Sequence, residues 1–229
     1  MDSARFVQIY IVQGIVGIFF LLMAIKILRR DKEKLHLTLS LFYVSVGAGV
    51  MLNIIYASIF DESIVPLLHF LTYFFLCFGQ IFLLIFVLII NKSENVITPK
   101  VQLFLVLSFS ILFWGLWFIP EGIVINETTN WKPVWTWEFL IYTYVLCTSY
   151  TFIPTLIYSF RIYSSLETKI LKKKWLYFIS GLLAYYFAYY GTSFSNALND
   201  PNFRFLWSII SLFAIPFVFL LYHGVGREL

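Results

Sequence analysis

The residues of this chain that could do chemistry are amides, phenols and one imidazole, set into otherwise apolar runs. Gln13, Asn53, Tyr56, His69, Tyr73, Gln80, Tyr185, Tyr189 and Asn196 all lie in stretches free of Asp, Glu, Lys and Arg. Their spacing is helical. Ser45, Gly49, Asn53 and Tyr56 fall on one helix face, as do His69, Tyr73, Cys77 and Gln80. Tyr144, Thr148, Thr151, Thr155 and Tyr158 form a third stripe, and Tyr185, Tyr189, Thr192 and Asn196 a fourth, with Tyr186, Tyr190 and Ser193 alongside. Lipid offers such groups no partner, so the stripes are expected to face a bundle interior. One reading is hydrogen bonding between packed helices, worth roughly 0.6 kcal/mol per bond. The other is a cavity walled by tyrosines and amides, which suits a small neutral or aromatic ligand. The nine residues named first are the candidate ligand site.

Other chemistries lack their residues. No H-E-x-x-H, G-x-S-x-G or phosphate-loop motif occurs. His36, His69 and His223 sit at the ends of different runs and cannot share a metal. Cys77 and Cys147 both lie inside apolar runs and read as small buried hydrophobes. Neither catalysis nor a metal site is expected. No carboxylate lies within a run, which counts against proton pumps and ion-coupled transporters.

The elements that must position these residues follow from hydropathy. The 229 residues are 61% hydrophobic, 21% aromatic and 12% charged, against roughly 25% charged in soluble domains. A bilayer core of about 30 Å needs roughly 20 apolar residues as a helix. Seven spans are expected, at 6–27, 35–60, 64–91, 101–119, 138–160, 175–198 and 204–223. The expectation is an all-α, multi-pass bundle forming a single domain over 1–229, embedded in the lipid bilayer of the plasma membrane. The first run is too long for a cleaved signal and is read as a retained helix. The formal charge of +4 is read as a topology signal, with no nucleic-acid partner. Pro154 and Pro216 should kink their helices, and Gly47 and Gly49 should allow close helix approach.

The basic residues alternate between connections. Lys26, Arg29, Arg30, Lys32, Lys34, Lys92, Lys100, Arg161, Lys169, Lys172, Lys173, Lys174 and Arg227 fall on one side, and only Arg5, Lys132 and Arg204 on the other. Cytoplasmic loops hold the excess of Lys and Arg, so the N-terminus is expected outside and the C-terminus inside. The candidate residues Asn53, Tyr56, His69, Tyr73, Tyr189 and Asn196 then map to the outer half. Trp114, Trp117, Trp131, Trp135 and Trp137 surround the outer connection 121–138 and read as an interfacial belt.

A seven-helix protein with this orientation invites comparison with microbial rhodopsins, which hold retinal on a lysine of the seventh helix. The run Phe205–Pro216 contains no lysine and none follows it. No retinal Schiff base and no other cofactor is expected. In size, topology, short loops, aromatic content and lack of intramembrane charge, the chain resembles the seven-helix sensor region at the N-terminus of prokaryotic histidine kinases. That resemblance implies a receptor-like sensor. The chain stops at Leu229 without a kinase, so signalling would pass to a separate cytoplasmic partner at the basic segments 26–34 and 161–174. The alternatives are a small-solute transporter or channel, and a non-catalytic subunit of a membrane complex.

Overall fold

The structure, a computed structural model, describes residues 6–30 and 33–226. Arg5, Lys32 and Arg227, which enter the charge count, lie outside the described residues, as do parts of the first basic segment and the C-terminus. Among the described residues the chain is all-α apart from one short hairpin. Helix α1 is a π-helical stretch, Val7–Gln13, continuing as Gly14–Leu28. Helix α2 covers Lys34–Tyr56, α3 Val65–Lys92 and α4 Pro99–Trp114, the last ending in a 3-10 turn, Gly115–Phe118. Strands β1 (Ile123–Val124) and β2 (Val134–Trp135) follow. Helix α5 runs from Trp137 to Ser165, α6 is Lys169–Leu198, and α7 is Pro201–Leu221 with a π-helical end, Tyr222–Gly226.

Five of these rods, α1 to α5, are long and apolar enough to cross a membrane. Helix α6 falls outside that set because five tyrosines and several small polar residues lower the hydropathy of its charge-free stretch. The apolar faces turned outward fit lipid. On α4, Leu103, Phe104, Leu107 and Ile111 are each at least half exposed, at helical spacing. On a protein in water, contiguous apolar surface of this kind would promote association. These are the helices of a membrane protein.

Four helix starts, those of α4 to α7, carry a capping side chain. Thr98, Thr136, Thr168 and Asp200 accept hydrogen bonds from the backbone N–H of Val101, Phe139, Leu171 and Phe203. Helix α6 therefore begins at Lys169, before the expected 175, and α7 at Pro201, before the expected 204. Helix α2 stops at Tyr56, short of the expected 60, and α5 runs on past 160 to Ser165.

Helix α3 is central: most of its apolar stretch is buried, whereas most of α1 and α4 is not. It packs most extensively on α2, and α6 on α7. Glycines permit both contacts. A Cβ at Gly49 would lie 2.9 Å from the Thr72 carbonyl oxygen, and one at Gly181 would lie 2.5 Å from the Leu221 backbone nitrogen. In α5, a π-helical stretch, Thr148–Phe152, stands immediately before the segment carrying Pro154. Proline removes one helical N–H and crowds the preceding turn, and a widened π turn accommodates both effects. Pro216 lies within α7.

The hairpin fills the connection between α4 and α5. Ile123 pairs with Trp135 and Val124 with Val134, antiparallel. Arg204, at the start of α7, donates to the Pro133 carbonyl at 2.7 Å. Phe60, between α2 and α3, packs edge-on against Trp131. The hairpin thus marks one end of the bundle. The opposite end carries most of the lysines, and there Lys34 pairs with Glu94 at 2.8 Å, an exposed bridge.

Candidate functional site

The polar stripes turn inward. His69, Tyr73, Cys77 and Gln80 of α3 are all buried, as are Tyr56 of α2 and Tyr185 and Tyr189 of α6. Thr192, on the expected inner stripe of α6, is exposed, and its hydroxyl accepts from the Trp207 indole at 3.0 Å. Inside the bundle the polar groups meet one another in four sets, the first two of them joined.

At the hairpin end, Trp135 donates its indole N–H to His69 Nε2 at 3.0 Å. An indole nitrogen can only donate, so Nε2 accepts and the ring proton resides on Nδ1. That proton is directed at the Tyr56 hydroxyl, 2.7 Å away. The imidazole is therefore neutral, with both nitrogens engaged. Trp135 is 3% exposed. It was expected at the membrane interface, and the structure corrects this: strand pairing with Ile123 turns the indole into the bundle, whereas Trp114, Trp117 and Trp137 remain exposed.

Trp135 also packs edge-on against Tyr73, with ring centroids 4.5 Å apart, which joins the first set to the second. Here the Tyr73 hydroxyl donates to the Tyr189 hydroxyl and lies 2.8 Å from Ser193 Oγ. The Cys77 thiol donates to the Tyr189 oxygen at 3.0 Å, and Cys147 Sγ lies 3.3 Å from the same oxygen. One phenol on α6 thus gathers groups from α3 and α5.

Deeper in the bundle, Gln80 Oε1 accepts from Thr151 at 2.8 Å. Among the described residues Gln80 Nε2, Thr155 Oγ1 and the Tyr186 hydroxyl are buried without a hydrogen-bond partner. The fourth set joins α1 to α2, where the Asn53 amide donates to Gln13. Tyr185, beside Gln80, donates to the Leu76 carbonyl at 2.5 Å. Asn196 is half-buried near the hairpin end of α6.

Sequence reasoning missed Trp135 as a member of this core; it placed Thr151 on an inward stripe and Cys147 among the buried residues, but named neither as a site residue. Trp135 left a trace: two short apolar pairs, Ile123-Val124 and Val134-Trp135, flank a polar stretch, which is a hairpin pattern. The meeting of Cys77 with Cys147 left none, because periodicity along one helix says nothing about its neighbour. No family model, no curated protein and no solved structure matches the chain. Among the described residues no group of three or more His, Cys, Asp or Glu side chains could hold a metal ion.

Proposed function

We propose that the chain is a seven-span plasma-membrane protein, N-terminus outside, acting as a receptor-like sensor for a small neutral or aromatic molecule. Its own aromatic residue, Trp135, occupies the place that such a ligand would take. The single observation that carries this reading is the Trp135–His69 bond. It ties a connection of the outer face to a neutral polar core through one hydrogen bond and one ring contact. A ligand offering an N–H or O–H to His69 and an aromatic edge to Tyr73 would replace both contacts and release the hairpin.

Release would act on the helices that the core joins. Tyr189 gathers α3 and α5 onto α6, and the π-helical stretch of α5 lies one residue beyond Cys147. π-Bulges recur at functional sites. The unpartnered Gln80, Thr155 and Tyr186 groups beside it leave hydrogen-bonding capacity for a second arrangement of the core. The basic segments 26–34 and 161–174, at the far ends of these helices, would then present a changed surface to a cytoplasmic partner. Supporting seven spans, α6 is free of charge from Trp175 to its end, and α7 carries only Arg204.

The test is thermal melting of the purified protein against a library of small neutral and aromatic metabolites, repeated with Tyr189→Phe, Asn53→Ala and Trp135→Ala. A stabilising compound should lose its effect in Tyr189→Phe and gain affinity in Trp135→Ala, where the competing indole is gone. If no compound shifts melting, or every variant responds as the parent does, the sensor reading is lost.

A further inference from the structure

At the basic end of the bundle, two cations converge on a single ring. Lys92 Nζ, at the end of α3, lies 5.5 Å from the centroid of Tyr158, and the Arg161 guanidinium lies 5.3 Å from it. Among the described residues neither cation has a carboxylate partner. Both cations flank one ring with no anion among the described residues to offset their charge, and an anion that reaches both gains charge-assisted hydrogen bonds. Arg161 also belongs to a second feature. With Ile157, Phe160, Ser164 and Ser165 it forms one open face along the last turns of α5. Ile157 and Phe160 are 46% and 47% exposed. This face is thus apolar toward the bilayer centre and polar toward the helix end, and the arginine joins it to the Tyr158 cluster.

We propose that Lys92, Tyr158 and Arg161 form a binding site for the headgroup of an anionic phospholipid, whose acyl chain lies over Ile157 and Phe160. The phosphate accepts from Lys92 and Arg161, and the exposed Ser164 and Ser165 stand beside the headgroup. Charge complementarity selects the headgroup, and the apolar half of this helix face selects a lipid over a free anion. The site needs only membrane-embedded helices. It is independent of the sensor reading and stands or falls without it.

Native mass spectrometry of the delipidated protein in detergent tests the site, with phosphatidylglycerol, phosphatidylcholine or inorganic phosphate added. Phosphatidylglycerol is expected to bind with one-to-one stoichiometry and more tightly than phosphatidylcholine, with inorganic phosphate failing to displace it. Arg161→Gln and Lys92→Gln should each weaken binding by about fivefold, the effect of one basic residue near an anionic surface. Lys26→Gln, which removes an exposed charge at the same end of the bundle but outside the cluster, should leave binding unchanged. Equal binding by all three variants and the parent would overturn the site. So would an equal loss in Lys26→Gln, which would mean diffuse attraction, or displacement by inorganic phosphate, which would mean a simple anion site.

Discussion

The indole N–H of Trp135 donates to Nε2 of His69 across 3.0 Å, and this bond fixes the imidazole as its neutral Nδ1–H tautomer. Both residues are buried, so neither can turn to water if the other is removed. Trp135→Phe keeps the ring contacts with Tyr73 and Phe139 but leaves Nε2 without a donor. It should cost about 1–3 kcal/mol, the usual penalty for stranding one buried polar atom. Trp135→Ala should cost more, about 3–5 kcal/mol, because a large aromatic volume is also lost. Equilibrium unfolding in mixed detergent micelles measures both. Parental stability in Trp135→Phe would show that packing alone holds the hairpin down.

Gln13 and Asn53 join α1 to α2 by one side-chain hydrogen bond. Both are half-buried, and helix pairs in membranes gain little from such bonds. A double-mutant cycle with Gln13→Ala and Asn53→Ala should return a coupling of about 0.6 kcal/mol, and no more than about 1.7. A coupling near zero would mean that the two amides find replacement partners.

The stripe on α3 was legible because a buried helix in lipid must hide each hydrogen-bonding group, and spacing alone then names the face: His69, Tyr73, Cys77 and Gln80 are all inside. What each stripe meets was not legible. Between the two readings, packed hydrogen bonding and a cavity, spacing could not choose; Tyr73 and Tyr189 reach one another and Trp135 enters from a connection. Charge-free runs measure lipid exposure and not helix length, so they miss the lysine-bearing first turns of α6, which Thr168 caps. They also overrun α2, whose apolar residues after Tyr56 form the turn that packs on the hairpin.

Gly181 lets α7 approach α6. Its Cβ position would lie 2.5 Å from the backbone nitrogen of Leu221 and 2.8 Å from that residue's Cβ. Backbone cannot swing aside as a side chain can, so Gly181→Ala should destabilise by about 1–3 kcal/mol through overpacking. Gly14 offers an internal control, because nothing lies within 4 Å of its Cβ position. Gly14→Ala should stabilise by up to about 1 kcal/mol from helix propensity. Melting temperatures of the two variants should therefore move in opposite directions. Movement in the same direction would remove the close approach as the cause.

Asp61 lies in the connection between α2 and α3, outside the spans. The Ser63 hydroxyl, at 2.5 Å, and the Ser63 N–H, at 2.8 Å, both donate to its carboxylate and hold its pKa below the usual value. A depressed folded pKa means that this turn contributes its stability above the unfolded carboxylate pKa and loses it as pH falls through the folded value. Ser63→Ala removes the larger cause and keeps the backbone donor, so the Asp61 pKa should rise part of the way back. Carboxyl-carbon NMR titration of Asp61 measures this. An unchanged midpoint in Ser63→Ala would assign the shift to the backbone alone.

Orientation rests on thirteen basic residues against three, and it can be read directly because both native cysteines are fully buried. A membrane-impermeant maleimide should leave them untouched, so a single introduced cysteine reports alone. Thr128 and Glu167 are both exposed, one in the hairpin connection and the other between α5 and α6. They are separated by α5 alone, which is long and apolar enough to cross the bilayer, so one reagent on one side should find only one of them. With the basic end inside, Thr128→Cys should be labelled on intact cells and Glu167→Cys only after permeabilisation. The reverse pattern would invert the assignment and place the Trp135 connection in the cytoplasm, where a ligand from outside could not reach it. Labelling of both on intact cells would mean that α5 does not span.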